Sequence, residues 1–266
     1  MTIKLKSPQE LETIGRAGEI VGRTLTRVAG RVEPGVSTAE LDRIAEEFIH
    51  ENPGATPAFK GLYGFPATLC TSVNEEVVHG IPSEEIVLEE GDILSVDVGV
   101  KLDGYYADSA LTVPVGRIEE ETRRLLEVTR RALEVGIDAA RVGGHVGDIG
   151  AAVQELVEAE GFSVIRELVG HGVGHAAHED PQVPNFGRRG QGRELREGLV
   201  IAIEPMVNVG GRQIRTRDDD WTVATADGSL SAHYEHTVAV TGEGPRVLTA
   251  RPAGTAATGR GETEVG

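Results

Sequence analysis

The sequence predicts an α+β fold built as two related halves around one antiparallel sheet. Three observations predict it. First, two segments 107 positions apart read almost alike: LEEGDILSVDVGV from Leu88 to Val100, and LREGLVIAIEPMV from Leu195 to Val207. Leu, Glu, Gly and Val recur at equivalent positions, and Asp97 falls where Glu204 falls in the second copy. Second, helical and strand patterns run helix-helix-strands and then helix-helix-strands again. Third, each copy is an apolar strand with one carboxylate near its end, which is costly to bury unless something neutralises it. A carboxylate supplied twice points to a pseudo-symmetric site with cations at its centre.

Taken in order, Ser7-Pro8-Gln9-Glu10 is a capping-box pattern with Pro at the first helical position. Leu11, Ile14, Gly18, Val21 and Leu25 follow at helical spacing. A second helix starts at Ser37, carries Leu41, Ile44, Phe48 and Ile49, and stops at Asn52-Pro53-Gly54. Phe65 to Pro82 reads as short strands and loops. Asp92 to Val113 reads as a β-hairpin turning near Asp103-Gly104. Helices are predicted from Ile118 to about Ala140 and from Asp148 to Glu160, and strands with Gly-rich connections from Ser163 to Val240. Residues 251–266 (RPAGTAATGRGETEVG) are poor in apolar residues and predict a disordered tail, leaving residues 1–250 as a single domain.

The 266 residues are 39% hydrophobic, enough for a real core, and no apolar run approaches the ~18 residues of a membrane helix. Without an apolar signal core at the N-terminus, the chain reads as cytoplasmic. The single cysteine, Cys70, excludes an intrachain disulfide and a cysteine-based zinc site. A net charge of −17 argues against specific nucleic-acid binding. Two arginine clusters, Arg188/Arg189/Arg193/Arg196 and Arg212/Arg215/Arg217, read first as solvated loops.

The chemistry concentrates in four places. Asp97 and Asp108 lie on opposite arms of the hairpin; with a four-residue loop, Lys101 to Gly104, they would be directly opposed at ~5 Å. Two such carboxylates need a cation, a shared proton or an arginine, and the pair alone leaves these open. GHGVGHAAHEDP, from Gly170 to Pro181, sets His171, His175 and His178 among small residues. Glu204 and Glu235 stand in Ile203-Glu204-Pro205 and Tyr234-Glu235-His236-Thr237. Together Asp97, Asp108, His171, Glu204 and Glu235 offer oxygen-rich ligation with one nitrogen, which suits Mn²⁺, Fe²⁺, Co²⁺ or Zn²⁺ rather than calcium. Two ions ~3.5–4 Å apart can share a carboxylate and a water, whose pKa drops from about 15.7 towards ~7, making hydroxide available at neutral pH.

These residues resemble a known family, the type I methionine aminopeptidases in their short bacterial form. The motifs are TSVNEEVVHGIP, DVGVKLDGYYAD, GHGVGHAAHEDPQVPNFG, IAIEPM and the run from Trp221 through SAHYEHT, spanning about Ser7 to Thr249. The resemblance implies a pita-bread fold, two pseudo-symmetric halves around a curved antiparallel sheet with outer helices. It implies two divalent ions (Co, Mn, Fe, Zn or Ni), one on Asp97 and one on His171 and Glu204, with Asp108 and Glu235 bridging. It implies that the bridging hydroxide attacks the scissile carbonyl. His79 would bond the substrate backbone, His178 would hold the developing oxyanion, and Glu204 would shuttle the proton. Phe59, Tyr63, Phe65, Cys70, His79, Met206 and Trp221 would line the methionine pocket, and a small second residue would be preferred. Asn74 and Ser231 match positions that hold a monovalent cation in some relatives. The substrate would be the N-terminus of a nascent protein, with a transient ribosome contact through Arg212, Arg215 and Arg217, and the enzyme would work as a monomer.

Three departures stand out against the family pattern: Ala177 where a bulky residue is usual, His233 in SAHYEHT where Gln is usual, and Phe59 and Leu62 in place of a commoner Cys and Tyr. Of the His233 alternatives, a pH-sensitive partner or a harmless exchange, the exchange is the simpler. The rival readings are a prolyl aminopeptidase or dipeptidase of the same fold, and a non-catalytic binding module. The first usually carries an extra N-terminal domain; the second typically lacks some of the five ligands.

Overall fold

The capping box forms as written. Ser7 Oγ accepts the Glu10 N–H at 3.4 Å, and Glu10 Oε2 accepts the Ser7 N–H at 2.7 Å. Helix α1 (Pro8–Ala29) therefore starts with its first free donors satisfied and buries Ile14, Ala17, Val21, Leu25 and Val28. Two of its glycines, Gly18 and Gly22, have a packing reason. A Cβ on Gly18 would lie 2.3 Å from the Leu248 carbonyl oxygen, so the helix rests directly on the 248–250 backbone. Ser37 caps α2 (Thr38–His50) by accepting the Glu40 N–H. In this computed structural model the described residues are 3–251; apart from Arg251, the expected disordered tail lies outside them.

Strands β1 (Ala55–Pro57), β2 (Leu69–Val73) and β3 (Glu76–Val78) precede the long hairpin of β4 (Ile93–Leu102) and β5 (Tyr105–Pro114). β1 and β2 lie in tandem along one edge of β4, with β5 on the other. Helices α3 (Glu120–Ala139) and α4 (Val146–Ala159) open the second half. The start of α4 lies two residues ahead of the expected Asp148. Asp148 is instead the third residue of the helix, and its Oδ2 accepts the His145 N–H at 2.6 Å. β6 (Ser163–Val164), β7 (Gly170–Gly172), β8 (Glu179–Val183), β9 (Val200–Ile203), β10 (Met206–Asn208), β11 (Ile214–Thr216), β12 (Val223–Thr225), β13 (Ser231–His233), β14 (His236–Thr241) and β15 (Gly244–Val247) follow. They form the sheets β15-β14-β9-β7-β8, β13-β10-β6 and β11-β12-β3, the last joining the two halves. α1 packs on β4 and β5, and α3 and α4 cover the second half.

The duplicated segments adopt the same local structure. In the first copy the Gly91 N–H donates to the Val115 oxygen, and the Val115 N–H to the Asp92 oxygen. In the second, Gly198 N–H donates to Val240 and Val240 N–H to Leu199. Both glycines have positive φ, 99° and 83°, at the same place in each copy. β4 thus corresponds to β9, and β5 to β14.

One expectation is corrected. The hairpin turns through two residues, Asp103 and Gly104, with φ of 50° and 87° and Leu102 paired to Tyr105. Such a turn matches the twist of its strands and is favoured by Asp-Gly. Asp97 therefore faces Ala110, and Gly99 faces Asp108. The two carboxylates share a face but sit diagonally, a spacing of ~7–8 Å between such backbone positions, which leaves room between them.

Candidate metal centre

The floor of one cavity gathers carboxylates from both halves. Asp97 and Asp108 come from β4 and β5; Glu204 follows β9 directly, and Glu235 precedes β14 directly. Asp108 and Glu235 are buried, while Asp97, Glu204 and His171 are half-buried. The ligand atoms of Asp108, His171 and Glu235 lie within 4.8 Å of one another. His171 Nε2 is 3.6 Å from Asp108 Oδ2 and 3.5 Å from Glu204 Oε1. Its Nδ1 lies 3.0 Å from the Gly172 carbonyl oxygen. A carbonyl can only accept, so Nδ1 donates to it, which leaves Nε2 turned towards the carboxylates.

Backbone and side chains hold this arrangement. The Thr237 hydroxyl accepts the Asp108 N–H at 3.1 Å and lies 3.0 Å from Asp108 Oδ1 and 2.8 Å from Asp108 O. The Glu235 N–H donates to the Ala110 oxygen, and Ser109 Oγ donates to the Glu235 oxygen at 2.5 Å. Asn185 Nδ2 donates to the Glu204 oxygen at 2.9 Å. Thr237 and Asn185 were given no role from the sequence, although Thr237 ends the SAHYEHT motif and Asn185 stands within the glycine-histidine motif.

Enclosure by protein pushes all four carboxyls above the ordinary carboxylate range. For Asp97, Glu204 and Glu235, mutual repulsion pushes further in the same direction; for Asp108, His171 and the Thr237 hydroxyl pull back. Among the described residues no lysine or arginine comes within 4.0 Å of any of them. Asp97 Oδ1 is buried without a hydrogen-bond partner among the described residues. A set of acids with one imidazole and no lysine or arginine beside them fits divalent cations, because the repulsion it stores is what such charge relieves.

The cavity above has a volume of about 320 Å³. Phe59, Tyr63, Phe65, Cys70, His79, Met206 and Trp221 all line it, with His178, His233, Leu62, Val78, Leu168 and Val169. The last three were not anticipated. Gly99 makes room for this wall: a Cβ there would sit 2.7 Å from the Phe59 ring, two residues along the same face from Asp97. Phe65 and Trp221 meet edge to face at 5.1 Å. Cys70 is a free thiol that burial pushes up, so it behaves as an apolar wall. His178 stacks on Tyr63 at 5.9 Å and meets the His171 ring edge-on at 4.5 Å. Desolvation at the cavity wall, with His171 and His79 close by, lowers its pKa to about 4 although the residue keeps exposed surface, and burial lowers that of His79. Both rings are neutral near pH 7.

The remaining candidates are also placed. Asn74, with φ 54°, and Ser231 are joined by a bond from the Ser231 N–H to the Asn74 oxygen at 3.0 Å. Ala177 is buried beside His178 and contributes nothing to the cavity wall. Arg217 reaches Glu75 and Glu76 at 2.6 Å each, so it is committed within the molecule. Among the described residues no helix is long and apolar enough to cross a membrane.

Comparison with known proteins agrees with this geometry. Residues 12–242 match metallopeptidase family M24. The methionine aminopeptidase of Clostridium perfringens is 53% identical over 93% of this chain and 98% of its own. Methionine aminopeptidase 1 of Bacillus subtilis is 51% identical over 92% and 98%. The crystal structure of the Thermotoga maritima methionine aminopeptidase superposes with a TM-score of 0.92 at 44% identity, covering 93% of this chain and 99% of that one. The fold is accordingly the pita-bread fold that the motifs implied. Its two matched halves, its carboxylate-lined cavity and these relatives place the chain in metallopeptidase family M24, among the methionine aminopeptidases.

Proposed function

We propose that the protein removes the initiator methionine from nascent chains, with two divalent ions and a preference for a small second residue. The observation that carries this reading is the convergence of four carboxylates and the His171 imidazole beneath an apolar cavity, with no lysine or arginine to balance them among the described residues. Asp97, Asp108, His171, Glu204 and Glu235 are the residues that would hold the ions. Bound there, divalent ions supply the positive charge that makes a water acidic and polarises a carbonyl.

The chain's own residues do the rest. A Glu204 carboxylate oxygen takes the proton from the attacking water and returns it to the leaving amine. His178, neutral near pH 7, donates a hydrogen bond to the carbonyl oxygen as charge develops on it. His79 bonds the substrate backbone beside the scissile amide. Phe59, Phe65, Cys70, Met206 and Trp221 enclose the methionine side chain, whose thioether suits an aromatic, soft-walled pocket. Tyr63, His79 and His178 crowd the same opening, which supports the preference for a small second residue. Asn74 and Ser231 would hold a monovalent cation near the turn that carries His79.

The test is a peptide panel. Met-Ala-Ser and Ala-Pro-Ser are incubated with metal-free protein and with protein loaded with Mn²⁺, Fe²⁺ or Co²⁺. Methionine release only in the loaded samples is expected. Cleavage of Ala-Pro-Ser but not of Met-Ala-Ser would overturn the reading in favour of a prolyl peptidase. The proposed ribosome contact falls to Arg212 and Arg215, which are exposed and make no ion pair among the described residues. Unchanged ribosome co-sedimentation of an Arg212→Ala/Arg215→Ala variant at low salt would remove it.

A further inference from the structure

His233 is a buried imidazole with an unused nitrogen. It ends β13, is 2% exposed, and its Nε2 has no hydrogen-bond partner among the described residues. Its backbone is fastened: the N–H donates to Thr112 Oγ1 at 2.9 Å, and the carbonyl accepts from the same hydroxyl at 3.0 Å. The ring therefore cannot slide along the strand. Nε2 looks across the cavity floor at Glu204 Oε2, 3.7 Å away. The other oxygen of that carboxylate, Oε1, lies 3.5 Å from His171 Nε2. Glu204 is thus bracketed, one imidazole nitrogen facing each oxygen.

A buried N–H without a partner lowers stability, and a leucine of similar size would not carry that penalty. We infer that His233 is a positioning residue for Glu204, its Nε2–H donating to Oε2 and so fixing Oε1 towards His171. A separation of 3.7 Å is longer than a hydrogen bond. Contacts of this kind are often long before the charges around them are set and shorten afterwards. The inference rests on the proposed function, in which Glu204 both helps to hold an ion and moves a proton. A carboxylate free to turn would do neither well, and ligating carboxylates are commonly held by an outer hydrogen bond.

The experiment compares the parent protein with H233L, which keeps the bulk and removes the nitrogen, and H233Q, which keeps a donor. Three quantities are measured: Mn²⁺ affinity by calorimetry on metal-free protein, Tm, and kcat and KM on Met-Ala-Ser. H233L is expected to raise Tm while lowering Mn²⁺ affinity and kcat by roughly 10-fold or more, with little change in KM. H233Q is expected to restore most of both losses. Parental Mn²⁺ affinity and kcat in H233L would overturn the inference. So would an H233Q as impaired as H233L, which would show that donation is not what matters. A drop in Tm for H233L with unchanged kcat would mean that the ring only packs, and overturns it too. Absence of Mn²⁺ binding by the parent protein is a separate result: it brings down the metal centre itself.

Discussion

The two halves of the molecule bring carboxylates to the same place by different means. In the first half, Asp97 and Asp108 sit inside an unbroken hairpin paired from Ile93–Pro114 to Leu102–Tyr105. In the second, Glu204 and Glu235 stand just beyond the last β9–β14 pair, Ile203 with His236, where the chain leaves for another sheet. The first half is a platform whose geometry its own ladder fixes. The second is fitted onto it: at one strand break the Glu235 backbone bonds across to Ala110 and Ser109 of the platform, and at the other Asn185, from the same half, donates to the Glu204 oxygen. Short Asp on the ladder and longer Glu at the breaks follow the same logic, since reach compensates for a less regular backbone.

The largest effect should come from the platform. Asp108→Ala is expected to abolish Mn²⁺ binding and to lower kcat/KM well beyond the ~10–100-fold that loss of an outer-sphere partner costs. Thr237→Val, which removes the hydroxyl that joins β14 to Asp108 and leaves every carboxyl in place, should stay within that ~10–100-fold range. Equal damage from both would mean that the join matters as much as the ligand, and the platform picture would fail. His178 belongs to the second half alone. His178→Ala should lower kcat by about 10²–10³-fold, the usual worth of one oxyanion donor, while leaving Mn²⁺ affinity near the parental value. A loss of affinity would instead make His178 part of the ion-holding set.

Acid–base behaviour separates the two halves from their imidazoles. The four carboxyls have folded pKa values above their ordinary values of 3.8 for Asp and 4.5 for Glu. Their contribution to stability is complete below about pH 4 and is lost as pH rises through the folded values. His178 and His233, lowered to about 4 and about 3, act in the opposite sense: their contribution is complete above 6.5 and is lost as pH falls. The clean window is therefore above pH 6.5, and below the range near 9 in which Cys70 would begin to matter. Tm of the metal-free protein is expected to fall as pH rises from about 4 through the carboxyls' folded values, and any part of that fall above pH 6.5 belongs to the carboxyls rather than to the imidazoles. Mn²⁺ at ~1,000 times its Kd should add about 4.1 kcal/mol, with a larger gain at the alkaline end. A metal-free Tm that falls nowhere between about pH 4 and about pH 9 in scanning calorimetry would show that the carboxyls do not store repulsion.

Much of this was legible in the chain, for identifiable reasons. The capping box of Ser7, the helical spacing of Ile14, Val21 and Leu25, and the repeated Gly91 and Gly198 are local patterns, and local hydrogen bonds realise them. The hairpin register was not legible. Alternation along β4 and β5 does not reveal whether Lys101 and Leu102 end the strand or begin the loop, and a two-residue shift moves Asp108 from opposite Asp97 to diagonal. The supports of the site were hidden for another reason. Thr237 with Asp108, and Lys6 with Glu179, join side chains 129 and 173 positions apart, and no periodicity connects them.

The smallest expected effect compares the halves at one equivalent residue. Gly91 and Gly198 both take positive φ, where a non-glycine residue costs about 1–2 kcal/mol. At Gly91 the nearest atom to an added Cβ is the Arg117 oxygen, at 3.9 Å, so Gly91→Ala should lower stability by that amount and leave kcat unchanged. At Gly198 the added Cβ would lie 2.7 Å from the Lys6 oxygen. Lys6 cannot give way freely. Its N–H donates to the Gly198 oxygen at 2.7 Å, and its enclosed Nζ bonds Glu179 Oε2 at 2.7 Å. Glu179 Oε1 in turn accepts the N–H groups of His175, at 2.5 Å, and Ala176, at 2.9 Å, in the loop that carries His178. Gly198→Ala should therefore cost more stability than Gly91→Ala and also lower kcat, because the displacement runs from the strand start through Lys6 and Glu179 to the oxyanion donor. If urea denaturation and Met-Ala-Ser turnover show the two alanines to be equivalent, the second half does not depend on its long-range fastenings, and the contrast between ladder and fitted halves is wrong at its most local point.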